Sequence, residues 1–318
     1  MPDDQLSALL QSVKLTGAVF LNAEFRAPWC VSADGALLRQ RMPAVEHFVN
    51  YHFIAEGACD VAVGGLPPCR VAAGDLVVFP HGDAHVMASS LQLAATPMEG
   101  LVAPGDGAAL PVLRHGGHGD ATRVICGFLA CDPRLCRPIL SALPRRLVVA
   151  LRGDPEGDWI EQSLRHSVVA AASGEAGAAA VLARLSEALF VEALRRYAAA
   201  RPPGDSGWLA GLRDPLVGRA LVLIHQQPAR HWTVDDLARE VGCSRTVLAQ
   251  RFSHCVGEPP MKYLARWRLA MAAHALRLAP AGTLARVAQD VGYDSEAAFN
   301  RAFKRELGVT PARWRRRA

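Results

Sequence analysis

The sequence predicts a multidomain α+β protein with a β-rich N-terminal domain, a helical connector and an all-α C-terminal domain. Short β-branched and aromatic runs fill about the first 150 residues, long helical periods follow to about residue 200, and a helix–turn–helix pattern then occurs twice. The chain has 318 residues, of which 51% are hydrophobic and 20% charged. This is enough apolar surface for two cores, since domains most often hold about 100 to 150 residues.

The β-rich domain is predicted from short segments that Gly and Pro separate. These are HFVNYHFIAEG, ACDVAVGG, CRVAAGDLVVFP and RVICGFLA, which are rich in β-branched and aromatic residues. No helix-period segment of useful length interrupts them before about residue 150. Such a pattern is typical of an all-β barrel or sandwich.

A helical connector is predicted at residues 155–200. There DWIEQSLRHSVVAAA and EAGAAAVLARLSEALFVEALRRYAAA place apolar residues at helical spacing. Such helices pack either on their own domain or on a second copy of it, and we favour a subunit contact. The segment ARPPGDSG then predicts a linker at residues 201–211. We therefore assign residues 1–200 to the N-terminal domain and 212–318 to the C-terminal one.

Charge is distributed unevenly along the chain. The net charge is +5, but residues 211–318 hold 18 basic and 9 acidic side chains, a balance of +9, whereas residues 1–210 hold 17 and 21, a balance of −4. A compact basic module is the electrostatic footprint of a domain that binds a polyanion. A merely solvated basic face would fit the charge nearly as well, so the function has to be argued from the motifs.

The N-terminus and the cysteines indicate a soluble, cytoplasmic protein. The first residues, MPDDQLSALLQSVK, show no basic segment followed by an apolar run, and no apolar stretch reaches membrane-spanning length. Eight scattered cysteines without a secretion signal indicate reduced thiols. The spacing of Cys126, Cys131 and Cys136 is not the CxxC spacing of zinc sites, and Cys126, in a strand-like run, is predicted to be a buried core thiol.

The C-terminal domain is predicted from a repeated pattern. VGCSRTVLAQRF, which begins at Val241, returns as VGYDSEAAFNRAF, which begins at Val291. Matching positions before the turn are fifty residues apart, and those after it are fifty-one apart because one residue is inserted. A duplicated supersecondary unit explains this regularity better than chance.

Each copy of the pattern predicts a helix, a tight turn and a second helix. Thr233 and Thr283 are placed as N-caps of the first helices. Gly242 and Gly292 tolerate the left-handed conformation of a helix C-cap, and the serine that follows each turn can cap the second helix. Both copies therefore have the local residues that a helix–turn–helix requires.

A long helix is predicted to join the two copies. The segment PMKYLARWRLAMAAHALRL runs from about Pro260 to Leu278 and begins with proline. Nineteen helical residues span about 28 Å, which is near the roughly 34 to 36 Å between successive major-groove turns of DNA. One chain could therefore place both second helices on one face of a duplex.

The second helix of each copy is predicted to present a polar outer face. Leu248 and Phe252 point inward in the first copy, and Phe299 and Phe303 do so in the second. Side-chain amides can pair with adenine, guanidinium with guanine, and a carboxylate can accept from cytosine. The outward residues predicted to face bases are Thr246, Ala249, Gln250, Glu296, Ala297, Asn300 and Arg301. Basic side chains such as Arg245 and Lys304 either contact phosphates or are simply solvated.

Residues from about 212 to 318 resemble the DNA-binding domain of the AraC/XylS family of bacterial transcription regulators. The resemblance covers both helix–turn–helix units, the joining helix and the closing GYDSEAAFNRAFKRELGVTPARWR. It implies sequence-specific binding of double-stranded DNA by the second helix of each unit. Because Ala249 and Ala297 offer only a methyl group, base readout would depend mainly on Gln250, Asn300 and Arg301.

The segment GDLVVFPHGDAHVMAS is similar to the second sequence motif of cupins, in which His85 would point into the barrel. The first motif is less complete, because Asn50 stands where a histidine would be expected, although His52 and Glu56 have plausible spacing. His52, Glu56 and His85 could hold Zn²⁺ or Fe²⁺. Alternatively, the histidines are hydrogen-bonded barrel residues or bind a ligand directly, and no cofactor is required.

Regulators of this family with a cupin-like domain use it to sense a small molecule and to dimerise. The resemblance therefore implies a homodimeric regulator that contacts RNA polymerase, is not an enzyme and has no membrane partner. The candidate effector-binding residues are His52, Glu56, His81 and His85.

Two other functions remain open from the sequence. One is a metal-dependent cupin dioxygenase or isomerase fused to a DNA-binding module, which would need a complete set of metal ligands. The other is a DNA-repair protein with a methyl-accepting cysteine, but no cysteine of this chain lies in a recognisable acceptor motif.

Overall fold

The computed structural model describes residues 5–10, 13, 15–102, 110–202, 207–278 and 282–316. Its internal contacts divide the chain into two units. The barrel unit comprises residues 15–131 and 143–200, and the helical unit comprises residues 1–14, 132–142 and 201–318. Two segments from the first 200 residues thus belong with the C-terminal helices.

The barrel unit contains two sheets. Its strands are β1 (Leu15–Arg26), β2 (Cys30–Ala33), β3 (His47–Glu56), β4 (Ala58–Val63), β5 (Cys69–Ala72), β6 (Asp75–Phe79), β7 (His85–Ala88), β8 (Thr96–Pro97), β9 (Val112–Gly116), β10 (Ala121–Cys131) and β11 (Leu147–Ala150). One sheet has the order β11-β6-β3-β10-β1-β9 and the other β5-β4-β7-β2-β8. Each segment predicted to be β-structured contributes a strand, so the predicted β-rich domain is confirmed.

The core of the barrel unit lies between its two sheets. One apolar cluster combines Leu21, Ile54 and Val77 of the first sheet with Val61 and Met87 of the second. Full burial of such a side chain contributes about 1.5–3 kcal/mol. Short β-branched strands therefore suffice here because two sheets share one apolar interior.

Two helices, α4 (Pro155–Ala172) and α5 (Ala178–Ala200), form the predicted connector. In the barrel unit α5 packs on β1 at Gly17, where an added Cβ would lie 2.6 Å from the Ala183 carbonyl oxygen. The hydroxyl groups of Tyr51 and Ser186 also lie 2.6 Å apart. The connector helices therefore pack on their own domain, which was one of the two predicted arrangements.

Short helices occur where no helix was expected. Among them are α2 (Ala36–Arg41) and α3 (Pro133–Leu140), which have six and eight residues. A helix this short gives too few turns for a periodic pattern, and α3 also contains Pro138. Local sequence therefore did not reveal them.

The helical unit contains α1 (Gln5–Leu10), α3, α6 (Trp208–Arg213), α7 (Pro215–Gln226), α8 (Val234–Val241), α9 (Arg245–Val256), α10 (Pro260–Leu278), α11 (Leu284–Asp290), α12 (Glu296–Leu307) and α13 (Pro311–Arg315). In this unit α1 packs on α7, and α3 packs on α10 and α6. Helix α6 occupies part of the predicted linker, residues 201–211, while residues 203–206 lie outside the described residues.

No helix in the described part of the chain combines the length and the apolar character needed to cross a bilayer.

Candidate nucleic-acid interface and barrel pocket

The first helix–turn–helix is formed by α8, the turn at Gly242 and α9. The Thr233 hydroxyl accepts a hydrogen bond from the Asp236 N–H at 3.1 Å, and the Asp236 carboxylate accepts one from the Thr233 N–H at 3.1 Å. This reciprocal capping box satisfies two backbone donors at the start of α8. Gly242 has φ +78°, and the Ser244 hydroxyl caps α9 at 3.3 Å from the Val247 nitrogen. The predicted caps and turn are confirmed.

The second helix–turn–helix is formed by α11, the turn at Gly292 and α12. Thr283 and Ser295 accept hydrogen bonds from backbone N–H groups at the two helix starts, each at 3.2 Å. Gly292 has φ +84°, and an added Cβ would lie 2.6 Å from the Ala229 carbonyl oxygen. The second turn is therefore packed tightly against the loop that follows α7.

Helix α10 holds the two helix–turn–helix units together. Its Arg268 donates hydrogen bonds to the carbonyl oxygens of Pro228 at 2.7 Å and Arg230 at 2.8 Å. Further along the helix, the Ala273 carbonyl accepts a hydrogen bond from the Trp314 indole at 3.1 Å. The helix thus makes polar contacts with the loop after α7 and with α13, which restricts movement of one unit against the other.

A buried polar network joins α6, α7 and α10. The Trp208 indole N–H donates to the Tyr263 hydroxyl at 3.1 Å, and His225 Nε2 lies 2.7 Å from the same hydroxyl. The Tyr263 hydroxyl accepts from Trp208 and can donate its own hydrogen to His225 Nε2. This nitrogen is then unprotonated, which leaves His225 neutral. Burial lowers the pKa of His225 to about 3, in agreement with this assignment.

The outer faces of α9 and α12 carry the residues predicted to read bases. Leu248, Phe252, Phe299 and Phe303 are fully buried, so the predicted orientation of both helices is confirmed. The exposed residues of the two outer faces are Arg245, Thr246, Gln250, Glu296, Ala297, Arg301 and Lys304, and Ala249 and Asn300 are half-buried.

The basic residues near these faces differ in their partners. Arg245 lies 3.3 Å from the carboxylate of Asp235, and Arg251 lies 2.5 Å from that of Asp214. Asp214 also caps α7, so Arg251 has a structural partner that its sequence position did not reveal. Within the described ranges, neither Arg301 nor Lys304 has an ion-pair partner. Their charges are therefore available to an external anion.

The barrel pocket contains a buried chain of neutral hydrogen-bonding groups. His85 Nδ1 lies 2.9 Å from the Asp83 carbonyl oxygen, and the two Nε2 atoms of His85 and His52 lie 2.7 Å apart. His52 Nδ1 then lies 3.1 Å from Cys126 Sγ. Because the carbonyl only accepts, His85 Nδ1 donates to it, His52 Nε2 donates to His85 Nε2, and the Cys126 thiol donates to His52 Nδ1.

Electrostatics favour the neutral form of each group in this chain. Burial lowers the pKa of His52 well below its usual value, and the nearby His85 adds to the effect. Burial lowers the pKa of His85 to about 4 and raises that of Cys126 to about 12. The prediction that Cys126 is a buried core thiol is thus confirmed, and the thiol serves as a hydrogen-bond donor.

Glu56 does not join the two histidines. The pairing of β3 with β10 shifts between Ile54↔Val124 and Glu56↔Arg123, so Ala55 is an extra residue in β3. Such a β-bulge reverses the alternation of faces. The Glu56 carboxylate therefore accepts a hydrogen bond from Arg123 at 3.2 Å on the opposite face from His52. Glu56, a candidate because its spacing from His52 suited the first cupin motif, therefore lies away from the histidine pair.

The geometry of the histidine pair fits a hydrogen bond better than a metal site. Two imidazole nitrogens bound to one tetrahedral Zn²⁺ would lie about 3.3 Å apart, given metal–nitrogen distances of about 2.0–2.1 Å. The observed separation is 2.7 Å. Among the described residues, no three His, Cys, Asp or Glu side chains are grouped so that they could hold a metal ion.

Asn50, which the sequence marked only as a departure from the cupin motif, lines the barrel pocket. The residue is 6% exposed, and its Oδ1 atom has no hydrogen-bond partner among the described residues. It lines a cavity of about 30 Å³ together with His52, His85 and the apolar Leu37 and Leu38 of α2. His81 instead is exposed and lies 3.1 Å from the Leu143 carbonyl oxygen.

Comparisons with known families match both parts of the chain. Residues 4–199 match a cupin family, and residues 237–317 match a helix-turn-helix domain family. A putative AraC-like transcription regulator from Streptomyces lividans is 35% identical over 280 residues, which cover 84% of this chain and 86% of the relative. The HTH-type transcriptional regulator AlkR from Acinetobacter baylyi is 26% identical and covers 99% of this chain and 100% of its own.

The comparison with solved structures gave matches with low TM-scores. The DNA-binding domain of AdpA in complex with a target DNA is 27% identical, with a TM-score of 0.31, and covers 33% of this chain and 92% of its own. ToxT from Vibrio cholerae O395 is 11% identical, with a TM-score of 0.35, and covers 96% of this chain and 97% of its own.

Proposed function

The chain belongs to the AraC family of DNA-binding transcription regulators and has a cupin N-terminal domain, and from this premise we propose that a small effector bound in the barrel pocket controls its binding to an operator. In this proposal α9 and α12 enter successive major grooves. The observation that supports it is the pair of exposed polar faces on two helices that begin at equivalent capped turns.

Base readout in this proposal depends on Gln250 in α9 and on Asn300 and Arg301 in α12. Gln250 and Arg301 are exposed and Asn300 is half-buried. Amide groups suit adenine and the guanidinium suits guanine. Arg245 and Lys304, at the edges of the two faces, would contact phosphates, which position the protein without selecting sequence. Thr246, Ala249, Glu296 and Ala297 complete the contact surface.

The test is a mobility-shift titration of the full chain on an operator obtained by selection from random duplexes. Arg301→Ala should cost about 1–3 kcal/mol and relax the preference at one base pair, because its guanidinium would no longer contact guanine. Lys304→Ala should weaken binding to all sequences alike and lower the salt dependence.

Arg286→Ala is the matched control for these variants. Arg286 lies on α11 of the second helix–turn–helix and is paired with the exposed Asp290 at 2.9 Å. It lies outside the outer faces of α9 and α12. Its loss should leave base preference unchanged. An Arg301→Ala protein with the affinity and specificity of the original chain would refute the assignment of Arg301.

The effector would contact Asn50 and the histidine pair. The present cavity of about 30 Å³ holds about one water molecule, so binding a metabolite would require the pocket to open. In this proposal α2 would move to open the pocket, because its Leu37 and Leu38 line the cavity. An effector with a hydrogen-bond donor would satisfy the unpartnered Asn50 Oδ1 atom.

A thermal-shift screen of metabolites on the full chain tests the effector site. A compound that stabilises the protein should lose its effect with Asn50→Ala and with His85→Gln, while operator binding without the compound persists. His81→Gln is the control, because His81 is exposed and contacts Leu143 instead of the pocket. An effector response that survives both pocket variants would place the site elsewhere.

Homodimer formation is the third part of the proposal. Trp159 and Val169 of α4 and Val181 of α5 are 63%, 66% and 50% exposed, and an interface between two copies of the chain would bury such large apolar side chains. Light scattering should show a dimer that Trp159→Asp weakens, whereas Leu91→Asp, on a loop, should have no effect. A monomer at all concentrations would contradict this part. A dimer bound at an operator would then act on transcription through RNA polymerase.

A further inference from the structure

A cleft of about 470 Å³ opens between α3, α10 and α12 of the helical unit. Its floor is apolar and includes Leu269, which is 3% exposed. Its walls carry Arg137 of α3, Lys262 and Arg266 of α10, and Arg305 of α12. Small-molecule sites most often have volumes of about 300–1,000 Å³, so this cleft is large enough for a metabolite.

The cleft is strongly cationic. Four basic side chains line it, and Glu306 is the acidic one. Arg266 is paired with Glu258 at 2.5 Å. In the part of the chain that the structure describes, Arg137 and Arg305 have no ion-pair partner, and the same is true of Lys262. Like charges in one cleft repel each other, so a bound anion would stabilise the arrangement.

The cleft lies mostly on the side of α12 opposite the residues predicted to read bases. Successive residues of a helix are about 100° apart, so Ala302, which lines the cleft, lies about 160° around α12 from Lys304, whereas Arg305 lies about 40° from Arg301. A ligand in the cleft would therefore contact the inner flank of α12 and border the outer face at Arg301.

Helix α3 gives the cleft a wall that the repeated helix–turn–helix pattern does not contain. Asp132, the N-cap of α3, lies 3.2 Å from His274 of α10, and the Arg134 guanidinium lies 4.4 Å from the centre of the Trp314 ring. These contacts hold α3 beside α10, where Arg137 lines the cleft together with Lys262 and Arg305.

We propose that this cleft binds a small phosphorylated metabolite. Guanidinium groups bind phosphate through paired hydrogen bonds, and lysine adds a point charge. The half-buried Tyr293, which also lines the cleft, offers a ring and a hydroxyl to the rest of the ligand. Because Arg137 and Arg305 lie on different helices, one phosphate between them would link α3 to α12. This site is separate from the barrel pocket, and its binding chemistry does not depend on the effector proposed above.

Isothermal titration of the full chain with pyrophosphate, at constant ionic strength and without DNA, tests the proposal. We expect saturable binding that falls at least about tenfold with Arg137→Gln and with Arg305→Gln, since each substitution removes a charge-assisted hydrogen bond to the anion. Arg286→Gln, an exposed arginine of the same unit outside the cleft, should bind pyrophosphate like the original chain. Circular dichroism of each variant shows that the fold is kept.

Three outcomes would overturn the proposal. These are the absence of saturable pyrophosphate binding, an equal loss with Arg286→Gln, and unchanged binding in both cleft variants. If pyrophosphate does not bind but Arg137→Gln weakens operator binding in a mobility-shift assay, the cleft contacts the DNA backbone instead. Because the titration contains no DNA, a failure of the base-reading assignment would not affect its result.

Discussion

Acid should destabilise the helical unit through His225. His225 is 6% exposed, and its imidazole belongs to the hydrogen-bond network with Tyr263 and Trp208. Burial lowers its pKa to about 3, whereas an unfolded chain has a histidine pKa of about 6.5. Because the folded-state pKa is the lower one, the full stability is present above about pH 6.5 and is lost as the pH falls toward 3.

The expected loss follows from the two pKa values. Between pH 7 and pH 5 the unfolded imidazole gains most of one proton while the folded one stays neutral. Each pH unit below 6.5 then lowers the free energy of unfolding by up to about 1.4 kcal/mol, so the loss at pH 5 is about 2 kcal/mol. His52 and His85 add losses of the same sign in the barrel unit, so His225 has to be isolated by substitution.

Urea unfolding at pH 7 and pH 5, followed by tryptophan fluorescence, measures the contribution of His225 to the pH dependence of the free energy of unfolding. His225→Gln should lower stability at pH 7 and make its pH dependence smaller by about 2 kcal/mol. Tyr263→Phe is the control, because it leaves the Trp208 N–H unpaired at a cost of about 1–3 kcal/mol at both pH values but keeps the titrating group. Equal pH dependence in the original chain and in His225→Gln would refute the assignment of a neutral buried imidazole.

Substitutions at the turn glycines Gly242 and Gly292 and at the N-cap Thr233 test the stability of the two helix–turn–helix units. Gly292→Ala should lower the melting temperature more than Gly242→Ala, because an added Cβ at Gly292 meets the Ala229 carbonyl at 2.6 Å whereas at Gly242 it meets nothing within 4 Å. Left-handed strain of about 1–2 kcal/mol applies to both, and equal losses would show that the loop contact relaxes freely. Thr233→Ala should cost about 1 kcal/mol in urea unfolding, and Thr233→Ser should restore most of it; no loss in Thr233→Ala would mean that water satisfies the freed donor.

The helix–turn–helix units could be predicted closely because their determinants are local. A cap hydroxyl acts on a backbone N–H only two or three residues away, and a glycine sets its own φ. Thr233, Gly242 and Ser244 therefore mark helix ends without knowledge of the rest of the fold. The joining helix has the bounds that its proline start and apolar spacing predicted, Pro260–Leu278.

The barrel pocket was harder to predict because its determinants are distant in sequence. His52 and His85 were singled out, but their hydrogen bond to each other and the role of Cys126 depend on strand pairing. Glu56 was misplaced because a bulge depends on a partner strand and leaves no reliable local signal.

The extent of the helical unit could not be predicted from the repeat that defines it. A repeat shows which segments share an origin, but a folded unit is defined by which apolar surfaces are buried together. Leu9 of α1 and Ile139 of α3 are 1% and 2% exposed, and these helices pack on α7 and α10 of the helical unit. A chain cut at residue 200 would remove both helices and uncover the surfaces they bury. The repeat is thus smaller than the unit that contains it, and the added helix α3 supplies Arg137 to the cationic cleft.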